Sequence, residues 1–138
     1  LNLDSLPATV RELGLSSNEF TGEVSLENFP KGLEILSLTD NQLSGTICLT
    51  SLPPAFQLLH LRKKNFAGSL NFTQLPNSIR HIILAENSFS GTIDLGNLPK
   101  SMKYLDVGKN LISGTVRVPH GIDIRFEGND ELTVERIE

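Results

Sequence analysis

Aliphatic and polar positions recur in one fixed order along the chain. From Leu33 the order reads Leu33-x-x-Leu36-x-Leu38-x-x-Asn41-x-Leu43-Ser44-Gly45-Thr46-Ile47-x-Leu49-x-x-Leu52-Pro53. Gly22, Gly45, Gly68, Gly91 and Gly114 lie 23 residues apart, and Pro7, Pro30, Pro53, Pro76 and Pro99 keep the same spacing. A period of this size marks a solenoid, in which each unit buries its apolar face against its neighbours and the core is a line rather than a ball. Within each unit the pairs Leu13/Leu15, Leu36/Leu38, Leu59/Leu61, Ile82/Leu84 and Leu105/Val107 are separated by one outward residue, the alternation of a strand. Stacked about 4.8 Å apart, these strands predict a parallel sheet that forms the concave wall.

The triplets after each glycine (Val24-Ser25-Leu26, Ile47-Cys48-Leu49, Leu70-Asn71-Phe72, Ile93-Asp94-Leu95, Val116-Arg117-Val118) alternate again and predict a second, shorter strand on the convex side. The Leu-Pro that follows predicts a tight turn with room for one turn of 3₁₀ helix. About eight residues then remain before the next strand, too few for an average α-helix. The expected fold is therefore a β-rich, right-handed solenoid with few or no regular helices.

Asn18, Asn41, Lys64, Asn87 and Asn110 share one column where the chain leaves the first strand. An amide side chain both donates and accepts, so it satisfies backbone groups at such a turn. Lys64 has no acceptor, which predicts a local distortion with Asn65 substituting, or a lysine turned to solvent. The seven phenylalanines, Phe20, Phe29, Phe56, Phe66, Phe72, Phe89 and Phe126, all fall in core columns and are expected to pack rather than bind. The period fails beyond Gly114. Val118-Pro119 arrives early, Ile124 to Asn129 imitates one last strand and turn, and the final stretch is charged. One repeat domain is expected over 1–138, with about five full repeats, a partial one at the start and a cap from about 119. Leu1-Asn2-Leu3 aligns with Ile93-Asp94-Leu95, so the chain begins inside a repeat and is expected to be a fragment or trimmed.

These residues resemble the leucine-rich repeat family, whose framework is Leu-x-x-Leu-x-Leu-x-x-Asn-x-Leu. The continuation Leu43-Ser44-Gly45-Thr46-Ile47, repeated as Phe89-Ser90-Gly91-Thr92-Ile93, is similar to the plant-type extracellular subclass. The 23-residue period departs from that subclass, as does the absence of Pro after the Ile. Ile-Asp-Leu with Leu-Pro-x-Ser is also similar to protist, particularly kinetoplastid, surface proteins. The resemblance implies a protein- or peptide-recognition module, secreted or at the cell surface, rather than a catalyst. The alternative is a structural repeat scaffold that self-associates through its open sheet edges.

Specificity is expected in the outward columns of the concave sheet, where the repeats differ. One column holds Glu12, Ile35, Leu58, His81 and Tyr104, and the next Gly14, Ser37, His60, Ile83 and Asp106. Ser16, Thr39, Arg62, Ala85 and Gly108 follow, then Ser17, Asp40, Lys63, Glu86 and Lys109. Ile35, Leu58, His81 and Tyr104 form an apolar stripe on a surface that a monomer keeps polar, and His60 and Arg62 stand beside it. These six are the candidate partner-binding residues, with self-packing on the sheet as the bland alternative. The fourth column alternates in sign and reads as a solvated charge ladder.

The remaining chemistry is sparse. A net charge of −4 argues against a nucleic-acid partner, and no apolar run reaches the roughly 18 residues that span a bilayer. His60 and His81 lie on a diagonal of different columns, so no metal site is expected. No nucleophile has an adjacent base and no glycine loop cradles a phosphate, so neither an enzyme nor a cofactor is expected. The single Cys48 shares a polar column and should point outward. Asn71-Phe72-Thr73 is a candidate glycosylation sequon in that same column.

Overall fold

A computed structural model describes residues 6–14, 21–23, 29–38, 42–62 and 65–136. The strands that begin each repeat are β1 (Glu12–Gly14), β3 (Ile35–Ser37), β5 (Leu58–His60), β7 (His81–Ile83) and β9 (Tyr104–Asp106), and β12 (Asp123–Arg125) follows them. They form a parallel six-stranded sheet in the order β1-β3-β5-β7-β9-β12. Its register keeps the repeat: Glu12 faces Ile35, Ile35 faces Leu58, Leu58 faces His81 and His81 faces Tyr104. The last step is shorter, because Tyr104 faces Asp123 only 19 residues on.

The inward residues of the four central strands are fully buried, with Leu36, Leu59, Ile82 and Leu105 all at 0% exposure, and Leu13 and Ile124 at the two ends are partly buried against the core. Leu38, Leu61, Leu84 and Val107 continue the same side of the chain just past the strands and are also buried. Each such aliphatic side chain contributes about 1.5–3 kcal/mol when removed from water. Of the phenylalanines, Phe29, Phe56, Phe66, Phe72 and Phe89 are buried and Phe126 is partly buried against the core, while Phe20 lies outside the described residues. The rings of Phe66 and Phe89 stack at 6.4 Å.

A second sheet exists, but it is displaced from the position that alternation predicts. Its strands are β2 (Thr21–Glu23), β4 (Gln42–Gly45), β6 (Asn65–Gly68), β8 (Ser88–Gly91) and β10 (Leu111–Ile112), so most end at the repeating glycine instead of starting after it. The glycine backbone explains the displacement. Gly45, Gly68 and Gly91, the last residues of β4, β6 and β8, have φ between 80° and 101°, a left-handed turn that ends the ladder and that side chains disfavour, and Gly114 shares that conformation. At Gly114 a Cβ would also sit 2.7 Å from Cγ2 of Thr92. Of the predicted triplets among the described residues, only that of β11 (Gly114–Val118) is paired, with β13 (Leu132–Arg136). The 3₁₀ turn is likewise displaced. It occupies Leu49–Ser51, ahead of Pro53 rather than after it.

The proline turn does occur in every described copy, preceded by Leu in four of them and by Phe29 in the other. The carbonyls of Pro7, Pro30, Pro53, Pro76 and Pro99 accept from the N–H three residues on, at 3.1–3.2 Å. Proline suits this place because the turn uses its carbonyl and asks nothing of the N–H it lacks.

The asparagine column joins the two sheets. Nδ2 of Asn87 donates to the carbonyls of Leu61, Leu84 and Ala85, and its Oδ1 accepts from Phe66 N. Asn110 repeats this one turn later, donating to Leu84, Val107 and Gly108 and accepting from Phe89 N at 3.1 Å. Asn129 extends the column into the shortened turn, where it bonds the carbonyls of Val107 and Phe126 and the N–H of Ile112. Asn18, Asn41 and Lys64 lie outside the described residues, and so does the distortion expected at Lys64.

Replacing Asn110 by Ala strands one buried N–H and leaves three carbonyls underserved. The expected cost is about 2–4 kcal/mol, since each buried polar group left without a partner costs about 1–3 kcal/mol. Urea unfolding measures this as a lowered midpoint at constant slope. A loss below about 1 kcal/mol would show that water replaces the amide.

Candidate functional site

The outward columns are built as the repeat predicts. Ile35, Leu58, His81 and Tyr104 stand opposite one another on β3, β5, β7 and β9. All four are half-buried, because side chains on neighbouring parallel strands cover one another. The His81 and Tyr104 rings meet edge to face with centroids 6.5 Å apart. His60 sits in the adjacent column, opposite Ser37 on one side and Ile83 on the other. Among the described residues no group of three His, Cys, Asp or Glu is placed to hold a metal ion.

The third column departs from expectation. Arg62 is exposed, but Ala85 and Gly108 in the same column are buried. Gly108 is held closely, since a Cβ there would lie 3.0 Å from the Glu127 carbonyl. These two small residues let the surface sink below the flanking side chains. The resulting open cleft, about 340 Å³, is walled by Arg62, Glu86, Tyr104, Asp106, Lys109, Arg125 and Glu127. It adjoins the apolar stripe at Tyr104.

Charge in this cleft is organised around Glu86. Arg62 Nε approaches one carboxylate oxygen at 3.1 Å and Lys109 Nζ the other at 3.4 Å. The Lys109 contact is the cross-strand pair that the alternating column predicts. Lys63 and Asp40, also in that column, lie outside the described residues. The Arg62 contact comes from a neighbouring column and was not legible in the alternation. Burial pushes the Glu86 carboxyl up, but the two cations outweigh it and hold it below its ordinary value. Both Glu86 and Lys109 adopt positive φ, 61° and 53°, immediately before a ladder asparagine. This conformation is uncommon for side-chain-bearing residues, and the bonds of Asn87 and Asn110 to the surrounding carbonyls hold it.

The far wall comes from β9 and from the shortened last turn that follows it. Tyr104 Oη donates to Asp106 Oδ2 at 3.4 Å, and Gly108 N donates to Asp106 Oδ1 at 3.0 Å. Burial raises the Tyr104 pKa above the usual tyrosine range, and the Asp106 charge adds to it. Arg125 pairs with Asp123 at 3.3 Å, and that charge raises its pKa. Arg125 and Glu127 were not among the predicted site residues. Continuing the columns through Asp123 and Arg125 would have found Arg125, but the irregular spacing obscures that alignment.

Family models match two stretches of the chain: Leucine Rich Repeat over residues 32–59 and FNIP Repeat over residues 66–110. Together with the parallel sheets and the asparagine column, these matches support a leucine-rich repeat reading of the coil. The chain is a leucine-rich repeat solenoid. Its structural neighbours include the leucine-rich repeat ectodomain of the receptor kinase SOBIR1 from Arabidopsis thaliana, at TM-score 0.72 and 28% identity. That likeness covers 89% of this chain and 72% of the ectodomain. Pollen Receptor Kinase 3 shares the fold at TM-score 0.73 and 24% identity, over 91% of this chain and 64% of that one. No curated protein sequence matches. Among the described residues no helix of this leucine-rich repeat chain is long and apolar enough to cross a membrane.

The sign of the Glu86 shift gives a pH dependence. A carboxyl whose folded pKa is depressed adds stability above its unfolded value and loses it as pH falls through the folded value. Glu86→Gln should therefore be less stable than the parent at neutral pH, and the two should converge as pH falls below the ordinary 4.5. Thermal melts of both proteins across that range check the convergence. A difference that persists in strong acid would assign the loss to packing instead of charge.

Proposed function

We propose that this leucine-rich repeat chain is a non-catalytic recognition module that binds a protein or peptide on the outward face of its six-stranded sheet. The observation that carries the reading is the junction at Tyr104 of two unlike surfaces. On one side lies the apolar stripe of Ile35, Leu58, His81 and Tyr104, and on the other the charged cleft of Arg62, Glu86, Asp106 and Arg125. An extended partner crossing the strands would set apolar side chains on the stripe and a polar group in the cleft. Tyr and Arg contribute large contact area and directional hydrogen bonds, which is why they concentrate in binding hot spots.

A secreted or cell-surface setting accords with this reading, since the SOBIR1 neighbour is a receptor-kinase ectodomain. The cleft offers ion pairs without an activated nucleophile. Glu86 is engaged by Arg62 and Lys109, and Arg125 by Asp123 beside the cleft, an arrangement suited to orienting a ligand.

Peptides selected from a displayed random library on the intact chain supply a probe. Tyr104→Ala and Arg62→Ala should each weaken the selected peptides at least about tenfold, the scale of an interface hot spot, with the far-UV circular dichroism spectrum at the assay temperature unchanged. Arg117→Ala, on β11 and outside this face, should bind as the parent does. Parental affinity in both the Tyr104 and Arg62 variants would remove the sheet face as the binding surface.

A further inference from the structure

We infer that Asn71 is an N-linked glycan acceptor, so that the chain carries a single glycan on the connection between β6 and the Pro76 turn, off the six-stranded sheet. The inference requires passage through a glycosylating secretory pathway and is independent of what the sheet face binds. Asn71-Phe72-Thr73 is the one Asn-x-Ser/Thr tripeptide in the sequence with x other than Pro. Asn71 is exposed, whereas Phe72 between the two sequon residues is fully buried and anchors the segment to the core. The Asn71 carbonyl oxygen accepts from Thr73 N at 2.9 Å and from the Thr73 hydroxyl at 2.5 Å. The side-chain nitrogen makes no hydrogen bond among the described residues. The carbonyl end is held, on a residue that is exposed.

The neighbouring repeats show that the turn itself does not need an asparagine. One repeat later Asp94 Oδ1 accepts from Gly96 N at 2.8 Å, and one repeat earlier Cys48 Sγ lies 3.1 Å from Thr50 Oγ1. Three different side chains thus serve the same positions. The pairing of a transferable amide with a hydroxyl two residues on exists in this repeat alone, on a face that leaves Tyr104 and Arg62 uncovered. A bulky solvated group is tolerated at this exposed turn and would not be on the sheet.

In the transfer, Asn71 Nδ2 forms a bond to the anomeric carbon of a lipid-pyrophosphate-linked oligosaccharide. The bond from that carbon to the pyrophosphate oxygen breaks, the lipid pyrophosphate departs with the electron pair, and one amide proton passes to a base of the transferase.

The test secretes the chain from cultured eukaryotic cells alongside a reporter glycoprotein that shows the transferase is working. Intact mass and peptide mapping should find a glycan on the Asn71 peptide in most of the secreted chain, released by a peptide-N-glycosidase. Thr73→Ser should retain it, and Thr73→Val and Asn71→Asp should abolish it. Asn71→Asp keeps the acceptor oxygen that Asp94 supplies one repeat on, so its melt should match that of the deglycosylated parent and exclude misfolding as the cause. An unmodified Asn71 in a secreted, folded chain beside a glycosylated reporter overturns the inference. Library-selected peptides bind the sheet or fail to do so whatever the state of Asn71, so the two proposals fail separately.

Discussion

The side chains of Asn87, Asn110 and Asn129 are the constraint on which the described coil depends. A solenoid turn leaves the first strand by a bend at which carbonyls and N–H groups lose their sheet partners. In a buried line of this kind water cannot replace them cheaply. Each amide closes several of these vacancies at once, taking carbonyls from its own bend and from the previous turn and giving an acceptor to the second sheet. The apolar columns supply the gross stabilisation, but Leu and Phe pack in many ways. The amides define one arrangement of the turns.

The same bonds account for how the two sheets differ. The first five strands of the six-stranded sheet pair residues at the repeat spacing, whereas the second sheet pairs Ala67 with Ser88 and Leu111 with Ser90, two residues short of it. Asn87 and Asn110 accept from N–H groups 21 residues earlier, in the register of that second sheet. The stagger and the amide column are one geometric fact. It also bears on the cleft, because the residues before Asn87 and Asn110 are the left-handed Glu86 and Lys109, whose side chains meet above buried Ala85 and Gly108. A feature that serves folding thereby places the charges of the candidate site.

The proposed binding face and the proposed glycan acceptor occupy different parts of the surface, a division the solenoid makes natural. Outward columns on the sheet tolerate any residue that fits beside its neighbours, so they vary from repeat to repeat and can be specific. The connections after the second strands tolerate variation too, as Cys48, Asn71 and Asp94 show in one column. The glycines and inward aliphatics have no such latitude. Gly114 would meet Thr92 with a Cβ, and Leu36 or Ile82 has no route to solvent. Partner chemistry can change on this scaffold without touching the packing that holds it.

By itself the sequence determined the repeat, the inward and outward columns and the register of the first five strands of the main sheet. All three follow from spacing: a side chain alternates with period two along a strand and recurs with the repeat between strands. Ile35, Leu58, His81 and Tyr104 could be aligned before any coordinate was known, and so could the Pro turns. Tertiary structure decided the position of the second strands, because the left-handed backbone at Gly45, Gly68 and Gly91 ends the ladder where alternation alone would start it. It also decided the cleft. Arg62 reaches Glu86 across a column boundary, and the truncated last turn brings Arg125 and Glu127 beside Tyr104. Side-chain reach and a broken period are properties of the folded coil, and a one-dimensional pattern has no coordinate in which to express them.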